Sequence, residues 1–318
     1  MLLVNYFSEK GSKMKKKKWW KYVLPIIIAA KIVVVVMILE SARADNTQAN
    51  IESKTEFKAV GIPDSITFAG EKMPLGEFDV REALDRELLS NAYFHSQTIR
   101  FIKLAPRYFS IVEPILKEKG IPDDFKYLAV AESSLNPRAV SPAKAVGFWQ
   151  FMKGTAQDYG LEVTLEIDER YHVEKATYAA CDYLLNSYKK YGNWTLVAAS
   201  YNRGITGIQQ QITRQKTDDY YSLLLNPETQ RYVYRIAALK LILQNPEKYN
   251  FVVTEDEKYP IIPTKNVEIS GKVGNFADFA IEHGISYKTL KDFNPWLREN
   301  YLTNAKSKKY IVKIPEVK

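Results

Sequence analysis

Glu132 closes an apolar run, Phe125-Lys126-Tyr127-Leu128-Ala129-Val130-Ala131-Glu132, that breaks soon after at Asn136-Pro137. On a helix it lies four residues after Leu128 and seven after Phe125, on the same face. An acid at the end of a core-facing stripe loses water. Desolvation raises a carboxyl pKa toward the range in which it protonates a leaving oxygen near neutral pH. Position alone leaves two other roles open: capping a neighbouring helix, or pairing with an arginine. Metal chemistry finds no footing. The single cysteine, Cys181, and the three histidines, His95, His172 and His283, are scattered without ligand spacing, so neither a metal nor a cofactor is expected. Cys181 falls in the helical pattern Ala179-Ala180-Cys181-Asp182-Tyr183-Leu184 and reads as a small buried residue.

The elements that must position Glu132 are helices. Val80, Leu84 and Leu88, then Ile99, Ile102, Pro106 and Phe109, then Val112, Ile115 and Leu116 repeat at three and four residues. Gly120-Ile121-Pro122-Asp123 ends that stretch, and two acids there suit the first turn of the next helix. Further helices are predicted over 177–191, 195–201 and 228–244, stopped by Gly192-Asn193, Gly204 and Asn245-Pro246. No alternating pattern falls between 79 and 248, so the middle of the chain is all-α. After residue 251 the texture changes. Val267-Glu268-Ile269-Ser270 and Lys309 to Pro315 read as strands flanking short helices at 276–282 and 287–293. That β-α-α-β unit is too small to be more than an accessory module.

Charge excludes one class of partner. The formal net charge is +8, but residues 1–44 hold nine of the 45 Lys and Arg and two of the 37 acids. Residues 45–318 therefore carry 36 basic and 35 acidic groups, a net of about +1, and nucleic acid is not expected as a partner. The basic stretch Lys15 to Lys21 precedes an apolar run from Tyr22 to Leu39, interrupted by Lys31, and then Ser41-Ala42-Arg43-Ala44. This is the pattern of an export signal, cleaved after Ala44, with an uncleaved membrane anchor as the alternative. Either way the body is expected in the cell envelope, on the periplasmic side. Residues 45–74 are polar and broken by Gly61, Pro63 and Pro74, and read as a linker.

Around Glu132 the sequence is more specific. Glu132-Ser133, Asn136-Pro137-Arg138-Ala139-Val140-Ser141-Pro142 and Gly147-Phe148-Trp149-Gln150-Phe151 come first. Ser200-Tyr201-Asn202-Arg203-Gly204 and Glu228-Thr229-Gln230-Arg231-Tyr232-Val233 follow in order. These residues resemble the motifs of the soluble lytic transglycosylase family over roughly 80–248, nearest its membrane-bound lytic murein transglycosylase D branch. Leu104 to Phe109 and Asp168-Glu169-Arg170 extend the likeness. The resemblance implies a lysozyme-like helical domain that cleaves the MurNAc-GlcNAc β-1,4 bond of peptidoglycan strands and leaves a 1,6-anhydro end. Glu132 takes the place of the family's single acid and base, a role that ordinary glycosidases divide between two carboxylates. No second acid falls within 132–150, although Glu162, Glu166 and Asp168 follow and leave that question open.

The resemblance also assigns substrate-binding places to Ser133, Gln150, Tyr201, Tyr232 and Asn202. Ser133 and Gln150 offer hydrogen bonds to substrate or to Glu132, and Tyr201 offers a hydroxyl at the cleavage point. Tyr232 either orients Glu132 or packs the helix, and Asn202 is expected to hold backbone. Gly147 is expected to serve a tight turn or a close approach. Departures from the family pattern are Phe148, Ser200 and Arg203, the last read as a solvent-facing charge. The C-terminal unit resembles a LysM module through Asn275 to Ala280, Gly284-Ile285-Ser286, Leu290, Asn294 and Val312 to Pro315, with a degenerate opening Val273-Gly274-Asn275. The organisation expected is therefore a signal or anchor (1–44), a linker (45–74), a helical catalytic domain (75–250) and a LysM-like module (251–318). A hydrolytic muramidase and an inactive wall-binding scaffold are the competing readings.

Overall fold

The computed structural model describes residues 20–49 and 59–316. Residues Met1–Lys58 and Ala59–Lys318 form separate compact units. Within the first, α1 runs Trp20–Ala49 with Pro25 inside it, and Ile32 through Leu39 are exposed. Among the described residues no helix is long and apolar enough to cross a membrane.

The second unit opens with a hairpin, β1 (Thr67–Phe68) and β2 (Glu71–Lys72), paired antiparallel across a turn in which Ala69 and Gly70 both have positive φ. Two successive left-handed residues give the turn twist that suits a tight hairpin. The linker expectation fails for this part of the chain. Ile66, Phe68 and Met73 are buried in the main core. Glu71 accepts from the backbone N–H groups of Trp194 and Thr195 at 2.6 and 2.8 Å, capping a later helix where its orphan donors need an acid. Polar composition hid three core residues and a cap.

Then follow α2 (Phe78–Ala92), α3 (His95–Glu118), α4 (Phe125–Ser133), α5 (Lys153–Asp158), α6 (Val173–Tyr191), α7 (Trp194–Arg203), α8 (Ile205–Gln215) and α9 (Pro227–Gln244). The expected helices are all present, and α5 and α8 are additions. Gly204, expected to stop a helix, lies between α7 and α8. Its φ of +81° makes it instead a hinge that ends α7 and starts α8 at once. Local chemistry sets the other ends. The Asn193 and Asn226 side chains accept from Leu196 N and Thr229 N at 2.7 and 2.9 Å, and Gly192 closes α6 in the left-handed conformation.

The packing centres on α4, which is apolar nearly all round: Phe125, Leu128, Ala129 and Val130 are fully buried. It lies against α3 and α9, while α2 also covers α9, and α7 packs on α6, α8 and α9. Lys240 of α9 pairs with Asp124 at the start of α4 (2.7 Å) and donates to the Thr67 carbonyl, tying hairpin, α4 and α9 together. Cys181 is buried and free, as its helical pattern implied. Phe148, Trp149 and Phe151 are all core.

The C-terminal unit is β3 (Thr264–Ile269), α10 (Phe276–Glu282), α11 (Tyr287–Phe293) and β4 (Tyr310–Pro315). The strands pair antiparallel with Val267 opposite Val312. Asn294 is fully buried. Its amide donates to Leu290 O and Lys313 O and accepts from Lys313 N, which locks the exit of α11 to β4.

Candidate active site

Glu132 stands on the last turn of α4, and the backbone beyond it is unusual. Ser134 and Leu135 both take φ near +57°, and Gln150 takes +50°. Two successive non-glycine residues in the left-handed region directly after α4, and a third in the loop at 146–151, mark local backbone strain. The Glu132 side chain is half-buried. Burial pushes its carboxyl up to about 7; the Tyr232 hydrogen bond and Arg235 work against that shift, and Glu228 works with it.

Tyr232, buried on α9, donates its hydroxyl to Glu132 Oε1. Desolvation, then the neighbouring Glu132, drive the phenol pKa well above its usual value, so it stays a proton donor. Of the two roles left open for Tyr232, its hydroxyl bond fits the first and its burial on α9 the second. Tyr201 on α7 is shifted the same way, by burial first and the charge of Glu132 second. Its hydroxyl donates to Trp149 O at 2.8 Å, and its ring meets those of Trp149, Phe151 and Tyr183. Tyr201 thus lies in an aromatic cluster that joins α7 to the loop at 146–151.

The other expected residues are placed differently. Gln150 Nε2 donates to Gly147 O (2.8 Å) and Ala139 O (3.2 Å), bracing its own loop with no bond to Glu132 among the described residues. Ser133 is buried and donates to Ala129 O one turn back. Asn202 accepts from the Thr229 hydroxyl at 2.8 Å, so it joins α7 to α9 through a side chain and not, as expected, through backbone. Arg203 is half-buried, with its Nε enclosed and unbonded, and is not the solvent-facing charge its type suggested.

Gly147 meets both expectations. Its φ is +85°, and a Cβ there would lie 1.8 Å from the Arg170 carbonyl oxygen. Behind it, Arg170 makes a forked pair with Asp168 (2.9 and 2.7 Å) and donates to Phe151 O at 3.3 Å. Asp168 is thereby a brace. Glu166 accepts from the Thr303 N–H and hydroxyl, and Glu162 accepts from Lys308 and Tyr310. None of the three carboxylates left open as a second acid is free for that work.

Sequence reading missed the charged cluster under α9. Glu87 of α2 is almost fully buried; it accepts from Arg231 Nε at 2.6 Å and lies 3.7 Å from Arg235 Nε. Arg235 in turn pairs with Glu228 at 2.8 Å. Glu228, Tyr232 and Arg235 sit at i, i+4 and i+7, one face of α9, and that spacing was the available signal. A cavity of about 520 Å³ lies elsewhere, between α3, the start of α6 and the C-terminal unit. No group of His, Cys, Asp and Glu able to hold a metal occurs among the described residues.

Comparison with known proteins adds the following. The transglycosylase SLT domain matches residues 110–224, and the soluble lytic transglycosylase C-terminal LysM-like domain matches 265–318. Membrane-bound lytic murein transglycosylase D from two strains of Escherichia coli is 30% identical over 257 residues, which are 78% of this chain and 55% of the relative. The chain thus spans about half the length of the curated relatives it matches. Among solved structures, an inactive mutant of the lytic transglycosylase Slt from Pseudomonas aeruginosa aligns with TM-score 0.35 and 18% identity, over 48% of this chain and 26% of that one. The chain carries a transglycosylase SLT domain followed by a LysM-like domain of the soluble lytic transglycosylase type.

Proposed function

We propose that the protein is a peptidoglycan lytic transglycosylase of the cell envelope, with glycan strands as substrate and Glu132 as both acid and base. The observation that carries this reading is one carboxyl held near pKa 7 by desolvation, bonded to a neutral phenol and lacking a free carboxylate partner. A group poised there is protonated often enough to donate and basic enough to take a proton back. In the first step Glu132 protonates the glycosidic oxygen as the bond from that oxygen to C1 of the muramoyl residue breaks. In the second, the carboxylate removes the proton of the muramoyl 6-hydroxyl while its oxygen bonds to C1. The proton lent to the leaving sugar is thereby recovered, and no water is consumed.

Tyr232 holds Oε1 through both steps. Tyr201, half-buried, packs on the buried rings of Trp149 and Phe151, which hold it in place and leave it the member of the three that a sugar ring could meet. Gln150 fixes the loop that carries Trp149 and Phe151, Asn202 sets α7 against α9, and the Ser133 hydroxyl ties the last turn of α4 to Ala129 O. Glu228, the one carboxylate whose charge reaches Glu132, is paired with Arg235 and is poorly placed to activate water. The export-type leader and the membrane-bound name of the relatives support a place in the envelope. Mass spectrometry of purified sacculi digested with the protein tests the reaction. Anhydro ends are expected; new reducing ends would mean a muramidase, and no release a scaffold.

A further inference from the structure

The C-terminal unit shares its core with the helical body. Val146, Ile167 and Tyr171 belong to one apolar cluster with Trp296, Leu297 and Leu302, and Ile167 and Leu297, each 1% exposed, face each other in a β-bridge. Backbone bonds cross the seam: Asp168 N–H donates to Trp296 O at 2.9 Å and Arg298 N–H to Glu166 O at 2.8 Å. Side chains add to them. Thr303 N–H and Oγ1 donate to the Glu166 carboxylate (2.7 and 2.9 Å), and the Arg298 guanidinium lies 4.1 Å over the Tyr171 ring. A module used only as a tethered arm needs few such crossings. Here body and module form one compact unit.

The strip gripped from one side, residues 162–171, is the strip that braces the active-site loop from the other. The Arg170 carbonyl fills the place of a Gly147 side chain, and Arg170 Nη1 donates to Phe151 O. The loop is closed by reciprocal 3.0 Å bonds between Val146 and Phe151. Its Trp149 carbonyl accepts from Tyr201 of α7, and α7 packs on α9, which carries Tyr232, the partner of Glu132. Module, strip, loop and Tyr201 thus form an unbroken series of packed and bonded contacts.

We propose that the LysM-like unit is a positioning element for the Glu132 site, with Leu297 and Trp296 gripping residues 162–171 and through them fixing the loop at 146–151. This rests on the function proposed above for its kinetic consequences, though not for its structural ones. Loss of the grip loosens the loop, admits water to Glu132 and lowers the pH above which turnover falls.

The test compares Leu297→Ala with the volume-conserving Leu297→Met in the full chain. Melting establishes that each folds, and the milder Glu166→Gln stands in if Leu297→Ala does not. Three readouts are taken: amide exchange at 146–151, kcat and KM with their pH dependence on sacculi, and binding to sacculi. Expected for Leu297→Ala are faster exchange at 146–151, kcat lower by about tenfold with KM and binding held, and a lower pH limit; Leu297→Met should restore all three. Unchanged exchange at 146–151 overturns the proposal even if the protein has no transglycosylase activity. Loss of sacculus binding with kcat and exchange intact also overturns it, and makes the unit a glycan anchor. A wild-type chain that yields no anhydro product refutes the function reading alone, since the exchange result still stands.

Discussion

Two sets of carboxylates divide the molecule. Along the seam with the C-terminal unit every acid is satisfied by donors: Asp168 by Arg170, Glu162 by Lys308 and Tyr310, Glu166 by Thr303, and Glu174 by Lys313. At the end of α4, Glu132 has one neutral phenol as its hydrogen-bond partner and is desolvated by burial. Paired carboxylates hold surfaces together, with modest energies where solvent reaches them. An unpaired, desolvated one works against folding and is kept for chemistry. The difference separates scaffold from site more sharply than residue type does, since glutamates serve in both.

The comparison breaks first at Glu132 itself. Glu132→Gln should cut release of anhydro products by about 10²- to 10⁴-fold, the usual share of a general acid. The same change should stabilise the protein on the alkaline side. Glu132 is more basic folded than unfolded, so the folded state binds the extra proton. Stability from that source is whole below the ordinary carboxyl range and is lost as pH rises through about 7. At about pH 8 the Gln variant should therefore gain on the order of 1–2 kcal/mol, after allowance for its partial exposure, and nothing at about pH 4. Equal melting temperatures for the two proteins at alkaline pH would show that Glu132 is not under that strain.

Next comes the brace. Gly147→Ala needs a left-handed backbone and sets a methyl 1.8 Å from a carbonyl oxygen that the Asp168-Arg170 fork holds still. A loss of roughly 3 kcal/mol or more is expected in denaturant unfolding, unlike a change at Gly120 or Gly160, where a Cβ meets nothing. A small loss would mean that the strip at 162–171 yields easily, and would weaken the case for a rigid path from module to loop.

How far the sequence could lead follows the same division. The helices were legible because burial imposes a period, which α2, α3, α6 and α9 repeat, while α4 and α7 show as short apolar runs ended by breakers. The hairpin at 67–72 was not, because its work is done by Glu71 on helix ends more than a hundred residues away and by isolated apolar residues too few to show a pattern. Tyr232 was legible as a motif residue, yet its bond to Glu132 spans a hundred positions and only packing of α4 on α9 makes it. Glu87 falls beside Leu88 on the apolar stripe of α2, where an acid has no evident partner in the sequence. Two arginines of another helix explain why it can be buried. Gln150 and Ser133 show the converse limit: residue type announced hydrogen bonding, but not that their present bonds go to nearby backbone carbonyls.

A smaller effect separates orientation from acidity. Tyr232→Phe removes the donor that holds Oε1 and that lowers the Glu132 pKa. Turnover should fall by about tenfold, within the range of one charge-assisted bond. The pH above which activity declines should move up, since the acid now holds its proton longer. A variant that loses rate with an unmoved pH limit would leave Tyr232 a packing residue.

The smallest expected effect is the most discriminating, because it has two opposite signs. Arg235 and Glu228 lie on the face of α9 that carries Tyr232, paired with each other, and they pull on Glu132 in opposite directions. Arg235→Gln removes a charge that favours the carboxylate, so the pH limit of turnover should rise. Glu228→Gln removes one that disfavours it, and the limit should fall. Both groups are partly exposed, so each shift should be a fraction of a pH unit and should shrink with added salt. The double variant should lie between the two singles, near wild type. If both singles move the limit the same way, the cluster acts through the packing of α9. If only the rate changes, it acts through substrate contact. Opposed shifts that cancel in the double variant are what a neutral pair tuning a single shared acid and base requires.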